Sequence, residues 1–439
     1  MATAVFSSAE PALLTDHYEL TMVRASLADG TAHRRCSFEA FTRRLPEGRR
    51  FGVVGGTGRL LSLIEQFRFS DGQLGHLLDA EVIDDRTAEY LRDYRFSGDI
   101  DGYAEGEPYF GYSPILTVTG PFAEAVILET LVLSVLNHDS AIAAAAARMV
   151  LAAGDRPLIE MGSRRTHEWS AVAAARVAYL VGFASTSNLQ AGAAYGIPTG
   201  GTAAHAFTLL HDSERAAFSS QVASAGRSTT LLVDTYDIAQ GIATAIEVAG
   251  PGLGAIRIDS GDLAVMAHRS RAQLDSLGAV GTKIVLSGDL DEYAIAALAA
   301  APVDVYGAGT AVVVGSGAPT AGLVYKLVEV DGRPVAKRSE QKGSIGGRKR
   351  AYRRHRGSGT AIEERIVLAA SDPAEDMAHT AQCDEQRLLT GPLMRDGLTL
   401  PQPTMAESRA HHRQAITALP WEAVKLSKGE PGLIVTMPG

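Results

Sequence analysis

A unit made of one short apolar run and one helical pattern recurs in this chain from about residue 158 onward. The apolar runs span residues 158–162, 197–205, 229–237, 254–262, 283–289 and 303–310. The helical patterns between them span residues 171–194, 213–223, 238–248, 263–277 and 292–300. Apolar strands that alternate with helices predict a parallel sheet with helical crossovers. No Gly-x-Gly-x-x-Gly motif follows the first run, which favours a β/α barrel over a doubly wound sheet.

Polar or small residues stand at or just beyond the end of each predicted strand. These residues are Arg164, His205, Asp234, Arg257, Asp259, Asp289, Gly309 and Thr310. In a β/α barrel, the carboxyl ends of the strands face the active site. A charged turn after a single strand is common, but packing of the core does not place polar groups at the same end of every strand. The pattern therefore predicts an active site at this end of the sheet.

The rest of the chain has a different pattern, and 439 residues are too many for one compact core. Residues 1–125 combine short strand-like runs with helices, and the sequence after residue 357 is polar and mixed. We therefore predict an α/β protein with an irregular TIM-like β/α barrel at residues 126–356. A second α+β domain is predicted from residues 1–125, with the tail at 357–439 packed on it.

Composition excludes several classes of protein. The net charge of −9 comes without a strongly basic face, which argues against a nucleic-acid partner. Cys36 and Cys383 are the only cysteines, too few for a disulfide framework or a zinc cluster. The apolar stretch at 141–153 contains Arg148 and predicts a buried helix, so no membrane partner is expected. The first residues lack the pattern of a signal peptide, and we expect a cytoplasmic protein.

Short motifs occur along residues 10–355 in the order in which one enzyme family carries them. The motifs are Thr15-Asp16-His17-Tyr18-Glu19-Leu20-Thr21-Met22, Glu129-Thr130-Leu131 through Asn137, Gly162-Ser163-Arg164-Arg165, Gly182-Phe183 with Thr186-Ser187-Asn188, Gly200-Gly201-Thr202-Ala203-Ala204-His205, Asp234-Thr235-Tyr236-Asp237, Arg257-Ile258-Asp259-Ser260-Gly261-Asp262-Leu263, Ser287-Gly288-Asp289, Gly307-Ala308-Gly309-Thr310 and Tyr325-Lys326-Leu327-Val328. Each motif alone is weak evidence, but ten in one order are specific. The chain therefore resembles the nicotinate phosphoribosyltransferases.

The resemblance implies a reaction with three small-molecule partners: nicotinate, phosphoribosyl pyrophosphate and ATP. The ring nitrogen of nicotinate would bond to C1 of the sugar, pyrophosphate would leave, and nicotinate mononucleotide would enter NAD synthesis. In the family, ATP hydrolysis is coupled to this transfer. We expect Mg²⁺ to arrive with pyrophosphate and ATP, because no His, Cys and Asp cluster in the sequence has metal-ligand spacing.

The resemblance assigns catalytic roles to His205, Asp234 and Asp259. His205 matches the family histidine that ATP phosphorylates transiently, and Asp234 matches the carboxylate that orients it. An imidazole nitrogen is a good nucleophile when an acceptor orients the other nitrogen. Thr202 is expected to touch the substrate from the same turn. Asp259 and Asp289 would hold the ribose and stabilise its oxocarbenium character, although each carboxylate is also placed to cap the next helix.

Arginines and glycines near the strand ends are the predicted anion contacts. The planar guanidinium groups of Arg164 and Arg257 match a carboxylate or pyrophosphate, although exposed arginines also form ordinary surface ion pairs. Gly309 and Thr310 follow a late strand, where barrels bind phosphate at the start of a helix. Gly288 is expected to serve in the same way.

Asp16 and Tyr18 resemble residues that reach into the active site of a partner subunit. The resemblance therefore implies a homodimer with shared active sites, in which Tyr18 stacks on the pyridine ring. Without the resemblance, Tyr18 would be interpreted as a core aromatic residue near the start of a helix.

Ser187 is predicted to determine which pyridine base the enzyme prefers. Relatives that use nicotinamide carry an aspartate at this position, which would accept a hydrogen bond from the amide but repel the carboxylate of nicotinate. A serine removes that repulsion, so nicotinate is expected to be preferred. The alternative is that Ser187 only caps a local turn.

Three questions stay open at this point. The chain could instead act on nicotinamide or quinolinate with the same fold. It could also be a catalytically silent paralogue that binds nucleotides, although His205, Arg257 and Asp259 are all present. The basic run at 337–350 resembles a family segment near the phosphates and is equally well interpreted as a solvated surface hairpin.

Overall fold

The computed structural model describes residues 11–337, 345–369 and 386–438. The chain divides into two compact units. One unit comprises Met1–Ala141 and Thr320–Gly439, and the other comprises Ile142–Pro319.

The helices are α1 (His17–Asp29), α2 (Thr57–Glu65), α3 (Asp71–Asp79), α4 (Asp85–Arg92), α5 (Phe122–Val126), α6 (Glu129–Ala153), α7 (Glu168–Leu180), α8 (Leu189–Tyr195), α9 (His205–Leu209), α10 (Glu214–Ala225), α11 (Ile238–Ala249), α12 (Leu263–Ser276), α13 (Glu292–Ala297), α14 (Thr310–Val313) and α15 (Met405–Thr417). Two short 3-10 helices span Pro11–Leu13 and Gly315–Gly317.

The strands are β1 (Arg35–Thr42), β2 (Gly52–Val53), β3 (Asp99–Tyr103), β4 (Pro108–Tyr109), β5 (Leu116–Pro121), β6 (Leu158–Glu160), β7 (Ser185–Thr186), β8 (Thr230–Leu232), β9 (Ala255–Ile258), β10 (Lys283–Ser287), β11 (Val305–Ala308), β12 (Leu323–Val330), β13 (Arg333–Pro334), β14 (Lys349–His355), β15 (Ala361–Leu368), β16 (Gln386–Leu388), β17 (Thr390–Arg395), β18 (Leu398–Thr399) and β19 (Ile434–Thr436).

The unit Ile142–Pro319 is built on a parallel sheet of six strands in the order β7-β6-β11-β10-β9-β8. The first of these strands along the chain, β6, pairs with the last, β11, so that Leu158 lies opposite Tyr306. Within the described residues no ladder joins β7 to β8, which leaves one gap in the ring of strands. The unit therefore has a mixed α/β fold with a curled, half-barrel parallel sheet. Five of the six predicted apolar runs each contain one strand of this sheet.

The predicted strand at 197–205 is wrong. Only Thr199 pairs with Thr186, in an isolated parallel bridge beside β7, and α9 begins at His205. Gly200 and Gly201 supply no side chains to pack on a sheet, which weakens a strand at this point.

The single predicted helix at 171–194 is also wrong, because α7 and α8 are separated by β7. The chain leaves α7 through Gly182, whose φ of +129° lies outside the helical region. Phe183 is fully buried after this turn. Asn188 then starts α8, since its side-chain oxygen accepts a hydrogen bond from Ala191 N at 2.8 Å.

The other unit contains an antiparallel sheet in the order β13-β12-β1-β5-β3-β17-β18. Seven of the eight residues of β1 are buried, and Phe38 stacks on Tyr325 of β12 with ring centroids 4.9 Å apart. A second sheet has the order β16-β14-β15-β19. Both chain ends contribute to this unit.

The boundaries of the two units differ from the predicted ones. The prediction placed residues 126–356 in the barrel, whereas the unit that contains the parallel sheet spans Ile142–Pro319. The reason lies in β12, which pairs along its length with β1, from Val330 opposite Cys36 to Leu323 opposite Thr42. The described residues from Thr320 onward therefore belong to the unit that contains the antiparallel sheet.

Helix α6 is apolar enough, together with α5, to pass a length and composition test for a membrane span at Phe122–Ala153. Its side chains are those of a core helix, because 67% of its most apolar window is buried inside the protein. Arg148 on this helix is 1% exposed and forms an ion pair with Glu292 at 3.0 Å. The predicted buried helix at 141–153 is thus confirmed.

Candidate active site

The carboxyl ends of β8, β9 and β10 lie side by side in the parallel sheet. Arg257 on β9 lies opposite Leu232 on one side and Val285 on the other. Because each strand ends within a few residues of this level, the polar residues that follow are brought together. These residues are Asp234, Asp259 and Ser287.

Three side chains hold the guanidinium group of Arg257. Its Nε donates a hydrogen bond to Ser287 Oγ at 2.7 Å, and its Nη1 donates to Thr202 Oγ1 at 3.0 Å. Its Nη2 donates to Asp259 Oδ1 at 2.8 Å. A guanidinium has five N–H groups, so this fixed cation keeps hydrogen-bonding capacity for an anion.

Asp234 connects His205 to the same cluster. The Oδ1 atom of Asp234 lies 3.0 Å from His205 Nε2. Its Oδ2 accepts hydrogen bonds from Asp259 N at 2.8 Å and from Ser260 Oγ at 2.7 Å. The Asp234 side chain is 1% exposed and that of His205 is 42% exposed. The contact occupies Nε2, so Nδ1 is the imidazole nitrogen that stays available for chemistry.

Asp259 is held in its ionised form. Partial burial acts to raise its pKa, but hydrogen bonds from Ser287 and Arg257 outweigh this effect and lower the pKa below its ordinary value. Asp259 does not cap the next helix, because Asp262 does so by accepting a hydrogen bond from Val265 N at 3.1 Å. Its carboxylate therefore belongs to the cluster at the strand ends.

The glycine-rich segment after β11 packs against the loop after β6. Met161 N donates a hydrogen bond to Ala308 O at 2.8 Å. A Cβ atom on Gly309 would lie only 3.2 Å from Met161 O, so the two backbones are in close contact. Thr310 begins α14 and is exposed. The predicted phosphate segment thus adjoins the loop that leads to Arg164.

Several predicted residues lie near the cluster without a hydrogen bond to it. Gly288 has a φ of +129°, and a Cβ atom there would lie 3.3 Å from Asp259 O. Asp289 is exposed, and within the described residues its carboxylate makes no hydrogen bond or ion pair; Asp291 caps α13 instead. Arg164 is likewise exposed and unpaired in the part of the chain that the structure describes.

Ser187 lies on the segment between β7 and α8. Its backbone N–H donates a hydrogen bond to Glu160 O at 2.8 Å. The local cap of α8 is Asn188, and the hydroxyl that accepts a hydrogen bond from Asn188 N belongs to Thr186. The capping role considered for Ser187 is thus filled by its two neighbours.

Asp16 and Tyr18 belong to the other unit and lie at the N-terminal end of α1. Asp16 is the N-cap residue, and the Tyr18 side chain is 45% exposed. Partial burial and the nearby carboxylates of Glu129 and Glu19 raise the pKa of Tyr18 to about 12. The phenol therefore stays neutral at physiological pH.

Part of the predicted basic segment at 337–350 lies outside the described residues, namely 338–344. Lys349, at its far end, starts β14 and forms a buried ion pair with Glu39 at 2.8 Å. This lysine is thus a core residue of the unit with the antiparallel sheet, a role that neither interpretation of the segment included.

The sequence interpretation did not single out Ser287, Ser260 or Glu160. Ser287 bridges Arg257 and Asp259, and Ser260 donates to Asp234. Ser287 was detectable as a polar residue inside the predicted apolar run at 283–289, where a polar side chain needs a partner. Glu160 gave the same signal, a carboxylate inside the apolar run at 158–162.

Known proteins are similar in sequence to most of this chain. The family model of the nicotinate phosphoribosyltransferase N-terminal domain matches residues 13–137. A nicotinate phosphoribosyltransferase of Mycobacterium tuberculosis is 58% identical over 429 residues, which cover 96% of this chain and 94% of the relative. The Bacillus subtilis nicotinate phosphoribosyltransferase is 37% identical over 356 residues, which cover 78% of this chain and 72% of that protein.

A solved structure extends the similarity to the fold. The crystal structure of human nicotinic acid phosphoribosyltransferase matches with a TM-score of 0.81 and 27% identity, and the match covers 96% of this chain and 97% of the human one. Together with the sequence identity over nearly the full length, this match shows that the chain belongs to the nicotinate phosphoribosyltransferase family.

Proposed function

We propose that this enzyme joins the ring nitrogen of nicotinate to C1 of phosphoribosyl pyrophosphate, releasing pyrophosphate and forming nicotinate mononucleotide for NAD synthesis. The observation that carries the proposal is the hydrogen-bonded cluster of His205, Asp234, Arg257 and Asp259 at the strand ends. It combines a cation for phosphate, an ionised carboxylate for the sugar and an oriented imidazole.

The sugar is the centre at which charge develops. As the bond from C1 to pyrophosphate breaks, positive charge grows on the ribose, and the ionised Asp259 stabilises it from a fixed position. Arg257 neutralises the leaving pyrophosphate, with Gly288, Gly309 and Thr310 as backbone and hydroxyl contacts for phosphate oxygens. The exposed Asp289 holds ribose hydroxyls, and Thr202 contacts substrate beside Arg257.

ATP hydrolysis is coupled to the transfer through His205. The Nδ1 lone pair attacks the γ-phosphorus of ATP, the bond to ADP breaks, and a phosphohistidine forms. Asp234 accepts the hydrogen bond from Nε2–H and stabilises the charge that builds on the ring. Water later removes the phosphoryl group and restores the imidazole.

Mg²⁺ is proposed to bind with the substrates. Among the described residues no group of three His, Cys, Asp or Glu side chains is placed to hold an ion. Phosphate oxygens of pyrophosphate and ATP are hard ligands that suit Mg²⁺, and they would supply most of its coordination. The ion would neutralise phosphate charge beside Arg257.

Further features of the proposal concern the whole protein. We infer that the half-barrel sheet is an irregular TIM-like barrel, since its first strand pairs with its last. We infer that the protein is cytoplasmic. We also infer a homodimer with shared active sites, because the segment that carries the half-exposed Tyr18 also exposes Leu13 and Leu14. Exposed apolar groups of this kind are typical of interfaces.

The test is to incubate the protein with phosphoribosyl pyrophosphate, Mg²⁺ and ATP, with one of three bases, and to identify products by mass spectrometry. Nicotinate should give nicotinate mononucleotide. If nicotinamide or quinolinate gave more product than nicotinate, the result would support the corresponding alternative activity. Absence of product with all three bases would favour a catalytically silent, nucleotide-binding protein.

A further inference from the structure

A closed ring of hydrogen bonds joins the two loops that carry Arg164 and Ser187. Glu160 Oε1 accepts a hydrogen bond from Gly162 N at 2.5 Å, and its Oε2 accepts one from Thr186 Oγ1 at 2.6 Å. Thr186 Oγ1 in turn accepts a hydrogen bond from Asn188 N at 3.0 Å. Asn188 Nδ2 donates to Ser163 Oγ at 3.1 Å, and the peptide bond between Gly162 and Ser163 closes the ring.

The ring lies at the carboxyl end of β6 and is inaccessible to solvent at its centre. Glu160 is 1% exposed and Thr186 is 0% exposed. No cation pairs with Glu160 among the described residues, and burial raises its pKa, while the hydrogen bonds from Thr186 and Gly162 act to lower it. A buried carboxyl without a cation costs stability, and the fold keeps it where two loops meet.

Steric crowding fixes the same loop from the other side. A Cβ atom on Gly162 would lie 2.3 Å from Val313 Cγ1, 2.9 Å from Glu160 Oε1 and 3.0 Å from Gly309 O. The backbone at Gly162 is thus trapped between the ring and the segment after β11. Glu160 therefore supplies one of the two constraints on the loop that leads directly to Arg164.

We propose that Glu160 and Thr186 are positioning residues that set the spacing of Arg164 and Ser187 for the carboxylate of the pyridine base. This inference rests on the proposed function, in which those two side chains contact the base. Glu160 touches neither substrate nor a reacting atom; it acts through the Gly162 backbone and the Thr186 hydroxyl.

Thr186→Val tests the proposal with little change of side-chain volume. Valine removes the hydroxyl that both donates to Glu160 and accepts from Asn188, whereas Thr186→Ser keeps it and serves as the matched control. Loss of one hydrogen bond to a charged group should raise the KM for nicotinate by about tenfold. The KM for phosphoribosyl pyrophosphate should change much less, because Arg257 and Asp259 lie outside the ring.

Glu160→Gln supplies an independent second variant. The glutamine amide replaces one acceptor oxygen with an N–H donor, which either opposes the Gly162 N–H or makes the Thr186 hydroxyl an acceptor where it was a donor. The same selective rise of the nicotinate KM is expected. A rise of both KM values by equal factors, or a Thr186→Ser variant as impaired as Thr186→Val, would overturn the positioning role.

Arg164→Ala separates this proposal from the proposed function. If Arg164 binds the base, Arg164→Ala raises the KM for nicotinate. Adding Thr186→Val to it should then raise the KM by a smaller factor than in the wild type, because only Ser187 is left for the ring to position. An unchanged KM in Arg164→Ala would refute the base contact, and with it the positioning role. A raised KM in Arg164→Ala with a normal KM in Thr186→Val would refute the positioning role alone.

Discussion

The contact between His205 and Asp234 determines which imidazole nitrogen is available. Asp234 is buried and accepts two further hydrogen bonds, from Asp259 N and Ser260 Oγ. These bonds fix the carboxylate, and through it the ring of His205. An energy-coupling histidine would therefore work through Nδ1, on a side chain that is 42% exposed.

We predict that His205→Ala abolishes stimulation by ATP but keeps slow, ATP-independent synthesis. The physical reason is that, in the proposed mechanism, Arg257 binds phosphate and Asp259 stabilises the sugar without the imidazole. Product formation is measured with and without ATP, and the ratio of the two rates should fall to unity. His211→Ala is the matched control, because His211 Nδ1 bonds only to Phe207 O in the described structure. ATP hydrolysis still coupled to synthesis in His205→Ala would contradict the phosphohistidine role.

A second prediction at this scale concerns the choice of base. Wild-type enzyme should prefer nicotinate over nicotinamide by roughly 10- to 150-fold in kcat/KM, the effect of one hydrogen bond that involves a charged group. Ser187→Asp should lower nicotinate use and favour nicotinamide, because its carboxylate repels that of nicotinate. Ser187→Ala separates loss of the hydroxyl from the added charge. Equal use of both bases by the wild type, or unchanged nicotinate use in Ser187→Asp, would refute this role.

Single residues were predictable where a polar group ended an apolar run. Asp234, Arg257 and Asp259 were found in this way, and their mutual contacts follow from the level at which parallel strands end. Ser287 and Glu160 were detectable as polar residues inside apolar runs, but their partners, which lie 28 and 26 residues away in the chain, were not. Such distances are set by the register of the sheet, which one sequence does not reveal.

At the scale of elements, short strands were the limit of sequence interpretation. β7 has two residues and lies between two alanine-rich helices, so a single helix was predicted across it. Strand β12 could be recognised as apolar, but its partner β1 lies almost 300 residues away in the chain. Arg34 and Asp331, which flank the two strands and share a hydrogen bond, are 297 residues apart. The unit boundary follows from that pairing.

Helix α1 is attached to α6 by a buried carboxyl. Glu19 Oε1 accepts hydrogen bonds from Thr130 N at 2.7 Å and Thr130 Oγ1 at 2.8 Å, and its Oε2 accepts one from Asp16 N at 3.0 Å. Burial outweighs these bonds and raises the pKa of Glu19 from 4.5 to about 7. The protonated form is therefore favoured in the folded protein between these two values.

This shift predicts a pH dependence of stability. A carboxyl whose pKa is raised on folding stabilises the protein below the unfolded pKa, and this contribution is lost as pH rises through the folded pKa. Glu19→Gln cannot titrate. The free energy of unfolding of the wild type, minus that of Glu19→Gln, should fall by about 2–3 kcal/mol between about pH 5 and about pH 8. Urea titrations across this range measure the difference, and a constant value would contradict the shift.

At the scale of the whole molecule, the open question is whether one subunit completes the site of another. Tyr18 is 45% exposed, and Leu13 and Leu14 nearby are 40% and 55% exposed. An aromatic residue and two leucines on one exposed segment form an apolar surface that a second copy of the chain would cover. If Tyr18 then stacks on the base in the partner's site, each site needs His205 from one chain and Tyr18 from the other.

This sharing predicts complementation between two variants that each lack ATP-dependent activity. Tyr18→Ala chains and His205→Ala chains, mixed after unfolding and refolding, form hybrid dimers in which one site carries both substitutions and the other carries neither. Random mixing makes half of the dimers hybrids, so about a quarter of the wild-type ATP-dependent activity should return. Tyr18→Ala mixed with Asp16→Ala is the control, because both substitutions lie on the same segment and every hybrid site keeps one of them. Hybrids that form, as native mass spectrometry would show, but that recover no activity would mean that each subunit has a complete site of its own.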